Sequence, residues 1–144
     1  MPKDSGPVMT SIDANRPMQD ANKAIGDLKY KVRTVDKTAS YTCLVSDSGT
    51  HFTQSGGAIV FTLPAVADST GVEYWFASLS TANYDLTVTA PANTMVYNNV
   101  LTGTSLGFGT NAEIIGGVIH VVCNGTVWIA TAEVGNVAQD YTVA

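Results

Sequence analysis

Residues 118–130 read Val118-Ile119-His120-Val121-Val122-Cys123-Asn124-Gly125-Thr126-Val127-Trp128-Ile129-Ala130. β-Branched residues, which favour extended strands, are frequent on both sides of the centre of this stretch. Asn124-Gly125 lies between the two sides, and an Asn-Gly pair readily adopts the left-handed backbone conformation of a tight hairpin turn. The stretch therefore predicts a β-hairpin, and it is the strongest local signal for a β fold in this sequence.

Short runs that alternate between apolar and polar residues fill the chain upstream of this hairpin. Turn residues follow them, as at Asp47-Ser48-Gly49, Ser55-Gly56-Gly57 and Pro64. Strands of this length and spacing are typical of sandwiches and barrels. The sequence predicts an all-β fold, an antiparallel and jelly-roll-like β-sandwich or barrel, with strands at 38–46, 50–54, 58–63, 72–79 and 86–90.

The run at 72–79 carries aromatic residues on both faces. Tyr74 and Phe76 alternate with Glu73 and Trp75, so both sides of this strand are expected to contact protein. We therefore expect it to be a central strand.

Residues 103–109 read Gly-Thr-Ser-Leu-Gly-Phe-Gly, which superficially resembles a phosphate-binding loop. That kind of site needs a lysine and a following helix, and the sequence offers neither here. We interpret the stretch as a flexible loop between strands.

Charge is distributed very unevenly along the chain. All seven Lys and Arg residues lie within residues 1–37, which also hold five Asp residues, so this segment carries a net charge of +2. Residues 38–144 hold seven acidic residues and no Lys or Arg, which gives a net charge of −7 with histidine counted as neutral. We therefore divide the chain into an extended basic N-terminal arm, residues 1–37, and an acidic all-β body, residues 38–144.

The arm contains one strand-like segment, Leu28-Lys29-Tyr30-Lys31-Val32-Arg33. Its strict alternation puts Leu28, Tyr30 and Val32 on one face and three cations on the other. A strand of this kind is suited to pairing with an acidic sheet, either its own or a neighbour's. An edge strand of the same domain with a solvated basic face is an equally good interpretation.

The charge pattern also restricts the partners. Nucleic-acid binding depends mainly on Lys and Arg contacts to phosphate, so a body without either residue is expected to repel nucleic acid. The N-terminus lacks a basic region followed by an apolar run, and the sequence has no apolar stretch of about 18 residues. We expect no nucleic-acid partner, no membrane partner, and synthesis in a host cytoplasm.

Few residues suggest chemistry. Neither His51 nor His120 is accompanied by a nucleophile-elbow sequence such as G-x-S-x-G. His120 lies inside an apolar run, which favours a packed or interface residue, and His51 is expected near a turn. Cys43 and Cys123 have no CxxC spacing, which argues against structural zinc, and we interpret them as buried thiols. We expect no enzyme activity, no metal site and no cofactor.

Four features follow one another in the body: Thr62-Leu63-Pro64-Ala65 closes a strand, Gly71-Val72-Glu73-Tyr74-Trp75-Phe76 opens the next, Leu86-Thr87-Val88-Thr89-Ala90-Pro91 follows, and Asn124-Gly125-Thr126-Val127-Trp128 comes last. This order resembles small β-domain virion proteins of tailed bacteriophages, which include head decoration or cement proteins and modules of tail fibres and tailspikes. The resemblance covers residues 38–132 or so. It implies a non-enzymatic structural protein that forms a homotrimer or a dimer.

Two functions follow from this resemblance. In the first, the chain is a capsid decoration or cement protein on the virion surface. It binds the outside of the head, and its arm contacts the major capsid protein through Leu28, Lys29, Tyr30, Lys31, Val32 and Arg33. The separate arm favours this function.

The alternative is a tail-fibre or tail-tip adhesion module. It would bind a host surface glycan or protein through loops at 64–71, 80–85 and 91–111, with candidate contacts at Tyr84, Tyr97, Asn98 and Asn99. A β-domain of cellular origin with an unrelated partner is the third interpretation.

Overall fold

The computed structural model describes residues 31–80, 85–108 and 115–133, together with the backbone of 141–143. The chain divides into two compact units, Met1–Lys31 and Val32–Ala144. In the described part of the second unit, short strands form two sheets, and the only helices are the single-turn 3-10 helices Val45–Asp47, Val66–Asp68 and Pro91–Asn93. The predicted all-β sandwich is confirmed.

The larger sheet has seven strands, which in spatial order are β1 (Arg33–Lys37), β3 (Thr50–Gln54), β5 (Glu73–Ser78), β10 (Val118–Cys123), β11 (Trp128–Glu133), β7 (Met95–Tyr97) and β8 (Val100–Gly103). The smaller sheet has five strands, in the order β12 (Tyr141–Val143), β9 (Ser105–Phe108), β6 (Leu86–Thr89), β4 (Ile59–Thr62) and β2 (Tyr41–Thr42). The numbering follows the chain, so neighbours in a sheet are seldom neighbours in sequence.

The first six strands wind as three coils that alternate between the two sheets. β1, β3 and β5 lie side by side and parallel in the larger sheet, and β2, β4 and β6 do the same in the smaller sheet. Each coil therefore contributes one strand to each sheet, as in a β-solenoid. Equivalent inward positions stack across the coils, with Val35, Phe52 and Phe76 in one row and Tyr41, Phe61 and Val88 in the other.

This winding corrects the antiparallel, jelly-roll-like arrangement that the sequence suggested. Among the described strands, five pairs are parallel and five are antiparallel. Alternation shows which side chains face inward, but it is the same for parallel and antiparallel strands. The sequence therefore could not show that each strand pairs with the coil before it.

The hairpin at residues 118–130 is confirmed. β10 and β11 are antiparallel, and Cys123 lies opposite Trp128 at the turn end. The Asn124 side-chain oxygen accepts hydrogen bonds from the backbone N–H groups of Thr126 and Val127, each at 2.9 Å. Gly125 has a φ of 94°, the left-handed conformation that the turn requires.

Aromatic rings fill the space between the sheets. The Phe52 ring centroid lies 5.5 Å from that of Phe61 and 5.6 Å from that of Phe76, and the Phe61 and Phe76 centroids are 4.7 Å apart. Trp128 is fully buried, and its indole N–H donates to the Pro64 carbonyl oxygen at 3.1 Å. The largest core side chain is thus both desolvated and satisfied in its hydrogen bonding.

Both cysteines are buried and free, as predicted. Burial raises the pKa of the Cys43 thiol to about 12. The stability gained by keeping this thiol protonated is fully present below its ordinary pKa of 9.0 and is lost as the pH rises through about 12. Cys123 has a local role, because its sulfur accepts a hydrogen bond from the Gly125 N–H at 3.4 Å beside the hairpin turn.

The predicted strand at residues 38–46 is wrong except at Tyr41 and Thr42. Only Tyr41 and Thr42 pair in the sheet, because the chain then turns into the 3-10 helix Val45–Asp47. The Asp47 carboxylate accepts a hydrogen bond from the Leu44 N–H at 3.1 Å, which favours this local turn over a continued strand. In a continued strand, Val45 would alternate onto the same face as Tyr41 and Cys43, but in the 3-10 helix it is 41% exposed.

The predicted flexible loop at 103–109 is also wrong, because β8 ends at Gly103 and β9 covers 105–108. Gly107 lies opposite Thr87 of β6. A Cβ atom at Gly107 would lie 2.8 Å from the Leu86 carbonyl oxygen and 3.0 Å from Thr87 Oγ1. Glycine here permits a close approach between strands rather than a loop.

We expect Gly107→Ala to lower the free energy of unfolding by about 1–3 kcal/mol, because the added methyl group overpacks the β6–β9 contact. Urea denaturation of the full chain measures the change. The matched control is Gly57→Ala, where a Cβ would meet nothing within 4 Å. Equal stability of the two variants would contradict the close-approach role of Gly107.

Candidate interaction surfaces

The arm residues proposed as a capsid anchor meet the body at β1. Lys31 and Val32 are exposed and precede this strand, and Val32 is 58% exposed. Arg33 is the first residue of β1, whose five residues pair in parallel with β3 and so belong to the body rather than to the arm. Outside the described residues lie Leu28, Lys29 and Tyr30.

Four polar side chains form a cluster at the first coil, which we call the coil-end cluster: Arg33, Lys37, Tyr41 and Asp47. Asp47 is buried at its centre. The Tyr41 hydroxyl donates to Asp47 Oδ2 at 2.8 Å, and Arg33 Nη2 lies 3.4 Å from Asp47 Oδ1. The Lys37 ammonium lies 3.4 Å from the centroid of the Tyr41 ring, within the range of a cation–π interaction.

The coil-end cluster satisfies a carboxylate that would otherwise be costly to bury. The buried carboxylate also raises the pKa of Tyr41, mainly through the hydrogen bond that the Tyr41 hydroxyl donates to Asp47. Two of the seven cations in the chain, Arg33 and Lys37, therefore have partners within the body. Among the described residues of the predicted anchor, Lys31 and Val32 do not belong to the coil-end cluster.

A ladder of three rings crosses the outer face of the larger sheet. His51 of β3, Trp75 of β5 and His120 of β10 lie directly opposite one another in register. Each histidine ring stacks on the indole at a centroid distance of 4.5 Å and an interplanar angle of 17°. His120 Nε2 also lies 3.2 Å from Glu73 Oε2.

The ring ladder tests two predictions from the sequence, that the strand at 72–79 is central and that His51 lies near a turn. β5 lies between β3 and β10, so the prediction of a central strand is confirmed. His51 is the second residue of β3 and lies two residues after the turn at Ser48-Gly49, so it lies near a turn as expected. Because both faces of the Trp75 indole are covered by imidazoles, this tryptophan presents only its edge and has no free face on which a sugar ring could stack.

The residues suggested for host adhesion are only partly in loops. Tyr97 is half-buried in β7, and Asn98 and Asn99 form the turn into β8 with φ values of 41° and 72°. Strands β7, β8 and β9 occupy most of residues 91–111, which corrects the expected loop there. Leu101 in β8 is 73% exposed. Tyr84 lies outside the described residues.

The outer face of the smaller sheet has a different chemistry. We call its described outward positions the hydroxyl face: Thr42, Val60, Thr62, Thr87, Thr89, Ser105 and Gly107. The register places Thr42, Thr62, Thr89 and Ser105 in one row across four strands. Val60, Thr87 and Gly107 form the next row. None of these seven residues is charged. Thr42 and Val60 are exposed, Gly107 is buried and the other four are half-buried.

The sequence pattern did not reveal the ring ladder, because it joins strands that are distant in sequence and no local spacing signals that His51, Trp75 and His120 share a row. The coil-end cluster spans only residues 33–47, but it depends on the 3-10 helix Val45–Asp47, which replaces the end of the predicted strand at 38–46. The hydroxyl face left a partial signal, since Thr87-Val88-Thr89 alternates in the sequence.

Comparisons of this chain with family models, with curated proteins and with solved structures find no match. Within residues 31–80, 85–108 and 115–133, no helix is long and apolar enough to cross a membrane. Across the same described ranges, no three His, Cys, Asp or Glu side chains are grouped so that they could hold a metal ion.

We expect Asp47→Asn to lower the free energy of unfolding by about 1.5–3 kcal/mol, because the amide removes the charge that Arg33 and the Tyr41 hydroxyl contact. Urea denaturation near neutral pH measures the effect. Asp68→Asn is the matched control, since exposed Asp68 ends an equivalent 3-10 helix, Val66–Asp68, and should change stability by about 0.5 kcal/mol or less. A similar loss in both variants would show that the coil-end cluster adds nothing.

Proposed function

We propose that this protein is a structural virion protein of a tailed bacteriophage that decorates and cements the outside of the head. The observation that carries the proposal is the junction at residues 31–37. An exposed cation and an exposed apolar side chain, Lys31 and Val32, lead directly into β1, which is an edge strand of the larger sheet in the described part of the chain. Edge strands offer unpaired backbone groups for strand addition by another protein.

The proposed partner is the major capsid protein. Lys29 and Lys31 would pair with acidic groups on it, while Leu28, Tyr30 and Val32 would bury apolar area. Arg33 contributes less to this contact than the sequence pattern suggested, because its guanidinium already lies against Asp47. Contacts of this kind would tie neighbouring capsid subunits together and resist internal pressure without any chemical step.

The body would act as a knob that projects from the capsid and meets copies of itself. Its neutral and acidic surface suits a role in which only the basic segment binds the particle, because charge complementarity then fixes which end of the molecule is attached. A homotrimer or a dimer is the proposed form.

A tail-tip adhesion module is the second candidate, and one observation favours it. The β7–β8 hairpin presents Asn98 and Asn99 at its turn, followed by Leu101, which is 73% exposed. An exposed polar turn beside an exposed apolar residue would supply a contact for a host surface protein. The covered faces of Trp75 weigh against stacking of a glycan on the ladder.

The location of the protein on the particle separates the two candidates. Antibodies raised against residues 32–144 should label virion heads densely in immunogold electron microscopy. Label confined to tail tips would replace decoration with adhesion. Absence of label from all particles would overturn both.

Removal of residues 1–31 should abolish binding to particles that lack the protein, while the remaining unit keeps its fold. Co-sedimentation measures binding, and circular dichroism in the aromatic region checks the fold. This boundary retains β1, which a deletion through residue 37 would remove from the sheet.

A charge reversal makes the same test without truncation. Lys29→Glu combined with Lys31→Glu should weaken particle binding by about tenfold or more, equal to about 1.4 kcal/mol. The control, Lys3→Glu combined with Lys23→Glu, makes the same change in net charge outside the anchor segment and should bind nearly as well as the wild type. If both pairs weaken particle binding equally, the effect comes from net charge and not from the anchor segment.

A further inference from the structure

We infer that the interior of the body holds a bound water molecule that bridges the side chains of Gln54 and Ser78. Both residues are buried, and they lie at the ends of the neighbouring strands β3 and β5. The site belongs to the body alone, so it does not depend on the proposed binding to a particle.

The strand register brings two buried polar side chains together. Gln54 lies directly opposite Ser78, in the inward row that follows Phe52 and Phe76. Gln54 is 0% exposed and Ser78 is 1% exposed. Gln54 Oε1 and Ser78 Oγ make no hydrogen bond to any group in the described part of the chain. Because buried polar atoms are almost always hydrogen-bonded, two unpaired oxygens at neighbouring positions indicate a bound partner that is not part of the chain.

The nitrogen of the Gln54 amide fixes how the amide is oriented. Nε2 donates to the Gly57 carbonyl oxygen at 2.6 Å and to the Asp85 carbonyl oxygen at 3.1 Å. Carbonyl oxygens only accept hydrogen bonds, so turning the amide over would place oxygen against oxygen. Oε1 therefore stays on the other side of the amide, where it needs a donor.

The spacing of the strands fits a water molecule between the two oxygens. Neighbouring strands lie about 4.8 Å apart, so side chains directly opposite each other are separated by more than a direct O–H···O bond of about 2.8 Å. A water between them can donate to Gln54 Oε1 and accept from the Ser78 hydroxyl. Buried waters make about two to four hydrogen bonds, and these two reach that range.

The chemistry of the site favours water over an ion. The two bridging side chains are neutral, and an ion without a charged partner is costly to bury. The smaller sheet presents a buried apolar row here, formed by Ile59, Leu86 and Phe108. The Ile59 N–H donates to the same Asp85 carbonyl oxygen as Gln54, at 3.0 Å, which places this row beside the Gln54 amide. No side chain of that row can pair with the two oxygens.

The bridge extends a polar connection between the coils. Gln54 already links β3 to the residues just before β4 and β6, through the Gly57 and Asp85 carbonyls, and the water adds β5 to this connection. Thr50 Oγ1 is the other unpaired buried oxygen in the described ranges. It lies at the opposite end of β3 and is not part of this site.

A high-resolution crystal structure of the full chain tests the site directly. It should show a water within hydrogen-bonding distance of both Gln54 Oε1 and Ser78 Oγ. In solution, magnetic relaxation dispersion of the water oxygen nucleus counts long-lived internal waters. Ser78→Ala should lower that count by about one, because it removes one of the groups that hold the water. The matched control is Ser69→Ala, which removes an equally buried hydroxyl that donates directly to the Ala65 carbonyl oxygen at 2.7 Å, and it should leave the count unchanged.

Any of four results would overturn the water site. They are a direct hydrogen bond between the two side chains, another group of the chain bonded to Gln54 Oε1, a cation in place of the water, and a water count that Ser78→Ala leaves unchanged or that Ser69→Ala lowers equally. Circular dichroism in the aromatic region checks that both variants are folded. If Ser78→Ala does not fold, the crystal structure of the wild type decides alone. None of these outcomes bears on the proposed role on the particle, which labelling and the deletion of residues 1–31 test separately.

Discussion

The packing of Phe52, Phe61 and Phe76 between the two sheets is the interaction on which the rest of the structure depends. Phe52 and Phe76 come from adjacent strands of the larger sheet, and Phe61 comes from the smaller sheet, so their rings join two coils and both layers. Because each ring occupies an inward position, the residues beside it in sequence must face outward. The core therefore sets the two outer faces: the ring ladder on one sheet and the hydroxyl face on the other.

The end of the first coil poses a second constraint. β1 and β2 are edge strands of the described sheets, and the inward side chains there, Val35 and Tyr41, are only half-buried. The coil-end cluster addresses this exposure, because Lys37 covers the Tyr41 ring and the tyrosine hydroxyl contacts buried Asp47. Charged groups in this region thus stabilise the fold at the place where the basic segment ends.

The two outer faces present different side chains. Stacked imidazoles and the 3.2 Å contact between His120 Nε2 and Glu73 Oε2 occupy the polar groups of the ladder. The described strands of the smaller sheet carry mostly hydroxyl side chains outward, at Thr42, Thr62, Thr87, Thr89 and Ser105. The two outer faces therefore differ in chemistry, with stacked rings and a carboxylate on one sheet and hydroxyl groups on the other.

The sequence by itself determined the all-β class, most strand positions, the buried cysteines and the hairpin at Asn124-Gly125, because alternation, burial and turn chemistry act over a few neighbouring residues. It also located the charge boundary, although pairing with β3 moved residues 33–37 into the body. The tertiary structure alone decided that coils pair in parallel, that 103–109 is largely strand, and that His51, Trp75 and His120 share a row. These features depend on which distant strands become neighbours, and a local pattern of side chains is the same whichever neighbour the sheet provides.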